Sequence, residues 1–422
     1  MIKSLKKLFG KLGPGFVTGA SDDDPSGIGT YSTAGSRFGF SQLWTPLFTF
    51  PLMTAVQEMC ARIGMVTGRG LAGVIRKNYS RRLLYFCVIL LVVANTINIG
   101  ADIGIMASAI GILFADSSFV LTAGVLTLLI VLLEVFIPYR VYAKILRVLA
   151  FSLLSYWIAA FFIKIDWWEV ITSIAIPQWH WQLDYIMILV GVLGTTISPY
   201  LFFWQASAEV EEEIILGRQS IKSRLGATRE EIHRMREDNF IGMLFSNLTM
   251  FFIMLVTGVT LFKNGIYNIE TAEQAALALK PLAGEWAYLL FTLGIIGTGL
   301  LAIPVLAGSA SYAVSEAFKI KNSLGLKWSQ AKGFYGVIII STFIGLLINF
   351  IGINPIKALL YTAVLNGLVA VPLLWVVMRI GNNQKIMGDL KNGRLSNTLG
   401  WLATLVMTTA AGVLVIGLII NF

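Results

Sequence analysis

Long apolar stretches separated by short polar or charged segments run the length of the chain. Eleven can be set out, at 14–38, 43–66, 83–112, 119–138, 144–164, 185–209, 240–262, 286–316, 334–354, 356–378 and 398–421. Each is close to the ~20 apolar residues that a helix needs to cross a bilayer. The pattern predicts an all-α integral membrane protein with eleven transmembrane helices, forming a single domain over 1–422. Two of the spans carry a break. The first contains Gly19-Ala20-Ser21-Asp22-Asp23-Asp24-Pro25-Ser26-Gly27, three carboxylates followed by helix-breaking residues. The sixth reads Gly191-Val192-Leu193-Gly194-Thr195-Thr196-Ile197-Ser198-Pro199-Tyr200, with a proline near mid-membrane that cannot donate to the helix ladder.

The two broken spans are five apart. An odd offset gives the halves opposite topology, so the chain divides into inverted repeats at about 14–165 and 185–380, with an added helix at about 398–421. Paired breaks in inverted halves point to the midplane site of a secondary transporter. A proline kink alone would be weak, because such kinks are tolerated widely in membrane helices. The aspartates add the weight: carboxylates at membrane depth are costly and mark an ion or substrate path.

Composition agrees. The chain is 56% hydrophobic and 13% charged, with mean hydropathy +0.77. The net charge of +9 is an orientation signal. With the N-terminus inside, most of the 32 Lys and Arg residues fall on inner segments, among them Lys3, Arg69, Arg81, Arg140, Arg224, Lys319 and Lys385. The rule that inner loops are positive then predicts a multi-pass protein of the cell membrane. Its N-terminus is expected in the cytoplasm and its C-terminus outside, without a cleavable signal peptide. No nucleic-acid partner is needed to explain the charge. Trp167, Trp168, Trp179 and Trp181 in the outer loop 165–184 fit an interfacial belt. Cys60 and Cys87 both lie in spans and suggest neither a disulfide framework nor a zinc motif. No nucleotide loop, nucleophile–base pair or cofactor motif supports enzyme activity, and no cofactor is expected.

Outside the breaks, the longest inner segment, 210–239, begins acidic at Glu211, Glu212 and Glu213 and turns basic at Arg229, Arg234 and Arg236. Its apolar residues recur at helical spacing, so it reads as an amphipathic surface helix joining two halves, with solvated charges. Glu58 and Arg62 are four apart in the favourable order and read as an intramembrane pair. Glu134 is expected to cap its helix or reach the interface. His180 and His233 fall in loops, which leaves no histidine in a span.

At the first break Asp24 is the leading cation ligand; the plain alternative is a helix-capping aspartate. Asp22 and Asp23 point elsewhere on a helical wheel, where one could face an aqueous cavity or pair with Lys or Arg. Asp102, in Asn95…Asn98…Gly100-Ala101-Asp102, is an intramembrane acid and functional by default. Thr362 and Asn366 share a helix face; Asn366 is either an interhelical hydrogen-bonding residue or a ligand.

At these motifs the chain resembles the NRAMP family of divalent-metal transporters. Gly13-Pro14-Gly15-Phe16 followed by Asp24-Pro25-Ser26-Gly27 resembles the family's GPGF…DPGN first helix. Gln57 through Val66-Thr67-Gly68 resembles its second helix. Thr195-Thr196-Ile197-Ser198-Pro199-Tyr200 stands where the family has A-T-V-M-P-H, and Asp102 where its third helix has an aspartate. The likeness covers about 10–380 and implies a LeuT-like fold. It also implies a metal site of Asp24, the backbone carbonyls of Ser21 and Thr195, and the positions of Gly27, Ser198 and Tyr200, with Thr362 and Asn366 from the tenth span.

The departures carry their own message. The family's metal-binding Asn is Gly27 here and its Met is Ser198. Its two sixth-helix histidines are Tyr200 and Gln205, its third-helix glutamate is Ile105, and the ninth span has no arginine. The set is similar to the NRAMP-related magnesium transporter branch. A thioether selects soft metals, whereas oxygen donors suit Mg²⁺, which sheds water reluctantly. Tyr200 and Gln205 then bond ordered waters, gate the cavity or simply pack. The resemblance implies Mg²⁺ uptake, with Mn²⁺ as a second substrate, by alternating access without proton coupling, in a protein acting as a monomer in the bilayer. The alternatives are a proton-coupled Mn²⁺/Fe²⁺ symporter of the same family and a sodium-coupled amino-acid carrier of the same fold. Three aspartates at the break would repel an amino acid's carboxylate.

Overall fold

The computed structural model describes residues 13–137, 141 and 150–420, and all regular structure among them is helical. The first span is two helices, α1 (Pro14–Asp22) and α2 (Pro25–Phe38). The second is α3 (Thr45–Thr67), followed by a short α4 (Leu71–Asn78). Then come α5 (Arg81–Leu113) and α6 (Phe119–Phe136). The expected fifth span, 144–164, falls partly outside the described residues; its visible end holds α7 (Leu154–Ala159) between short 3-10 turns. A surface helix, α8 (Trp167–Ala175), leads to the second broken pair, α9 (Leu183–Thr196) and α10 (Pro199–Ile215). The chain finishes with α11 (Arg229–Thr260), α12 (Ala287–Phe318), α13 (Lys332–Ile348), α14 (Pro355–Gly381) and α15 (Arg394–Ile420).

Helix ends follow local chemistry. Proline opens α1, α2, α10 and α14, where a missing N–H costs nothing. Asp238, on α11, accepts from Gly13 N at 2.7 Å and Gly15 N at 2.6 Å, and so satisfies the free amides that start α1. Thr228 and Glu231 close a reciprocal cap at the start of α11. Eight helical segments among the described residues are long and apolar enough to cross a membrane. The remaining expected spans are the broken first, the polar-rich α3 and the partly described fifth.

Two backbone contacts set the half-helices against their neighbours. A Cβ on Gly19 of α1 would lie 2.2 Å from the carbonyl of Gly242 on α11. A Cβ on Gly64 of α3 would lie 2.3 Å from the carbonyl oxygen of Ala206 on α10. Each half-helix thus meets the next span of the other half through small residues, the usual device for close packing in lipid. α5 packs along α12, α13 and α14, while α11 packs along α1, α2 and α3.

Several local expectations change. Segment 210–239 is not a separate surface helix. Its start continues α10 to Ile215, a 3-10 turn follows at Ile221–Arg224, and its end is already α11. Nor are the acids at its start all solvated. Glu211 is buried and accepts from Tyr312 Oη at 2.7 Å, Ser323 Oγ at 2.8 Å and Leu324 N at 3.1 Å. Tertiary donors from distant α12 and the loop after it outweigh the local charge pattern. His233 lies within α11, not in a loop, on an exposed face beside Glu237. Glu134 is buried and does not reach the interface. The Glu58–Arg62 pair is present: Arg62 donates to both carboxylate oxygens at 3.0 Å, and Arg236 adds a third contact at 2.9 Å.

Candidate metal site at the two helix breaks

Asp22 ends α1, Asp23 leaves helical geometry at φ −88°, ψ 52°, and Asp24 is extended at φ −65°, ψ 171°. This geometry gives Asp24 two fixed contacts. Its Oδ1 accepts from Gly27 N at 2.6 Å, which caps α2, and its Oδ2 accepts from Asn98 Nδ2 at 2.7 Å. The capping alternative is therefore realised, and it aims the carboxylate. Asn98 is the residue the sequence reading passed over. It sits one turn before Asp102 on the same face of α5, and two such polar groups in an apolar helix were the available signal.

Both oxygens of Asp102, Oδ1 of Asn98 and, on α14, Oδ1 of Asn366 are buried without a hydrogen-bond partner among the described residues. Thr362, one turn before Asn366, bonds back to Leu359 O at 2.8 Å and reaches Ser26 Oγ at 3.4 Å. Gly27 lines the same place. A Cβ there would meet Asp22 O at 3.1 Å, the Tyr31 ring at 3.4 Å and Asp24 Oδ1 at 3.5 Å. Glycine therefore keeps any side chain out of close contact with the Asp24 carboxylate.

At the second break Ile197 and Ser198 are non-helical, with ψ 61° and 131°. The hydroxyls here turn back on their own helices. Ser21 Oγ donates to Val17 O at 2.6 Å, Thr195 Oγ1 to Val192 O at 3.0 Å, and Ser198 Oγ to Gly194 O at 2.8 Å and Thr195 O at 2.5 Å. Tyr200 crosses between the breaks: its Oη donates to Ser21 O at 2.7 Å. Tyr200 also lies within electrostatic reach of Asp22, Asp24 and Asp102. The carbonyls of Ser21 and Thr195 thus each carry one internal bond and keep a second lone pair. Gln205 donates to Glu209 at 2.9 Å.

Among the described residues, neither Asp22 nor Asp23 forms an ion pair with Lys or Arg. Both are buried, and Asp22 takes Ser246 Oγ at 2.9 Å. Toward Ile105 the site is closed by apolar packing: a gap of only about 10 Å³ remains among Pro25, Ile28, Ile105, Phe291 and Leu359. At the basic end of the bundle a cavity of about 370 Å³ opens between Arg69, Arg224, Glu316 and Lys319. Among the described residues no three His, Cys, Asp or Glu side chains are gathered as a ready metal cluster. The donors at the breaks are carboxylate, amide, carbonyl and hydroxyl oxygens, a hard set suited to ions that keep some of their water.

A family model described as natural resistance-associated macrophage protein-like matches residues 15–417. The divalent metal cation transporter MntH of Erwinia tasmaniensis is 25% identical over all of this chain and 97% of its own length. Among solved structures, the manganese transporter of Eremococcus coleocola superposes with TM-score 0.75 at 20% identity, covering 96% of this chain and 86% of that one. Mhp1, a nucleobase-cation-symport-1 family transporter, superposes with TM-score 0.52 at 13% identity, covering 96% and 92%. Both structural likenesses concern the fold, which is of the LeuT type.

Proposed function

Since the chain belongs to the natural resistance-associated macrophage protein-like family, we propose that it is a secondary transporter carrying a hard divalent cation, Mg²⁺ first and Mn²⁺ alongside, into the cytoplasm. The observation that carries this reading is the oxygen-only surround of Asp24. Gly27 puts no side chain against its carboxylate, and Asp102, Asn98 and Asn366 contribute buried oxygens without partners among the described residues. Such a site suits an ion held partly through its own water. Relatives named for divalent cations and manganese support the charge class.

Asp24 supplies charge at a fixed position, since Gly27 N and Asn98 hold both of its oxygens. The Ser21 and Thr195 carbonyls face the ion or its water with their free lone pairs. Alternating access proceeds by movement of the half-helices about the breaks. The membrane potential drives uptake: about 2.3 kcal/mol per charge per 100 mV, hence about 4.6 kcal/mol for a dication, a gradient on the order of a thousandfold. Ile105, Tyr200 and Gln205 offer no readily titrating group where relatives in the family carry glutamate and histidine, so transport runs without a coupled proton. The chain acts as a monomer, with its N-terminus in the cytoplasm.

Uptake into proteoliposomes tests the reading. Mg²⁺ and Mn²⁺ should enter under an inside-negative potential, and Asp24→Ala should abolish entry. Vesicles that accumulate neither ion would overturn it.

A further inference from the structure

Asp22 and Asp23 stand apart from the arrangement at Asp24. Asp24 is turned to α5, where Asn98 holds it, whereas Asp22 is turned to α11, where Ser246 donates to its Oδ2. Ser246 has one hydroxyl proton, and it goes to Asp22. Asp22 Oδ1 and both oxygens of Asp23 are buried without a hydrogen bond among the described residues. On α2 the hydroxyl of fully buried Tyr31 also makes no hydrogen bond among the described residues; it lies within electrostatic reach of both carboxylates and near the Thr195 and Thr196 hydroxyls.

Charge makes the same point. Asp22, Asp23, Asp24 and Asp102 all surround the first break, and none of them enters an ion pair among the described residues. One dication at Asp24 offsets two of four carboxylates. In the interior of a membrane bundle the others must each hold a proton or share a cation, because an unpaired buried charge is costly.

We infer that Asp22, Asp23, Ser246 and Tyr31 hold a second hard cation beside the one at Asp24. Carboxylates with hydroxyls are donors for Mg²⁺ or Mn²⁺. The inference rests on the proposed reading of Asp24, and a separate readout distinguishes the two.

The test counts Mn²⁺ on the purified full-length chain in detergent, by calorimetry and by electron paramagnetic resonance. Wild type should bind two Mn²⁺, with spectra broadened by the coupling of neighbouring ions. Asp22→Asn with Asp23→Asn should bind one and give an uncoupled spectrum. Ser246→Ala removes only a hydroxyl; it should weaken the second ion about tenfold and spare the first. This variant decides the matter if the double one is not monodisperse. A single Mn²⁺ on saturated wild type overturns the second site, as does an unchanged count of two in the double variant or unchanged affinity in Ser246→Ala. Undiminished Mg²⁺ uptake by Asp24→Ala would sink the transport reading while leaving the ion count to stand.

Discussion

Tyr200 Oη donates to the main-chain oxygen of Ser21 at 2.7 Å, tying the second half of one broken helix to the first half of the other. Both partners are buried, so the bond is not exchanged freely with water. α1 and α10 are thereby linked at their inner faces. Tyr200→Phe removes the link and frees the Ser21 carbonyl. We expect a stability loss of about 1 kcal/mol, read by thermal unfolding in detergent. Mn²⁺ affinity should rise several-fold because one more carbonyl lone pair becomes available. Unchanged unfolding together with unchanged Mn²⁺ binding would mean the bond has no structural or ligand role.

Asp24 both caps a helix and carries charge, and one substitution separates the roles. Asn keeps an oxygen able to accept from Gly27 N but loses the charge. Asp24→Asn should therefore stay within about 0.5 kcal/mol of wild-type stability and lose Mg²⁺ transport as fully as Asp24→Ala. Transport surviving in Asp24→Asn but not in Asp24→Ala would assign the residue to capping alone.

Selectivity follows from the side chains at Gly27 and Ser198. Ser198→Met should raise Cd²⁺ binding at the expense of Mg²⁺ by supplying a thioether. Gly27→Asn places a side chain against Asp24 Oδ1, where the nearest neighbours lie 3.1–3.5 Å from the new Cβ. The double variant should exceed the sum of the two singles, because both ligands close on one ion. Calorimetric titration checks this; strong Cd²⁺ binding to wild type that millimolar Mg²⁺ cannot displace would contradict the oxygen-lined site.

Mg²⁺ uptake should leave the vesicle lumen at constant pH. An entrapped pH dye reads the outcome directly. Stoichiometric acidification would show that Asp102, whose carboxylate has no protein partner, still relays protons.

The cluster of Glu58, Arg62 and Arg236 is predicted to be structural. Arg62→Met leaves Glu58 with the half-exposed Arg236 and the Ser396 hydroxyl, and should destabilise the fold by about 3 kcal/mol. The ion affinity of the folded fraction should not change. An altered Mn²⁺ affinity would place the cluster in the transport path.

The spans and both breaks were legible because lipid demands long apolar helices and because Asp-Pro and Ser-Pro interrupt them openly. The Asp24 site was legible only in outline. Asn98 pairs with Asp24 across more than seventy residues, and no local pattern announces that partnership. Residues 210–239 misled for the same reason. Their run of charge, acidic then basic, suggested a wet face, yet Glu211 finds its donors on Tyr312 and Ser323, about a hundred residues away. Hydroxyls such as Ser21, Thr195 and Ser198 could not be assigned in advance. Bonding back to the helix and facing an ion leave the same trace in a sequence.

The contact between Gly19 and Gly242 has a mechanical consequence. Two bare backbones touch there, with no side-chain ridge seated in a groove. Such a joint works as a plain bearing: one half-helix can roll on the other without climbing over a tooth. A single methyl would act as a wedge. Gly19→Ala would force the surfaces apart at the pivot itself, and a transporter that depends on that roll would jam while its ion ligands remained untouched.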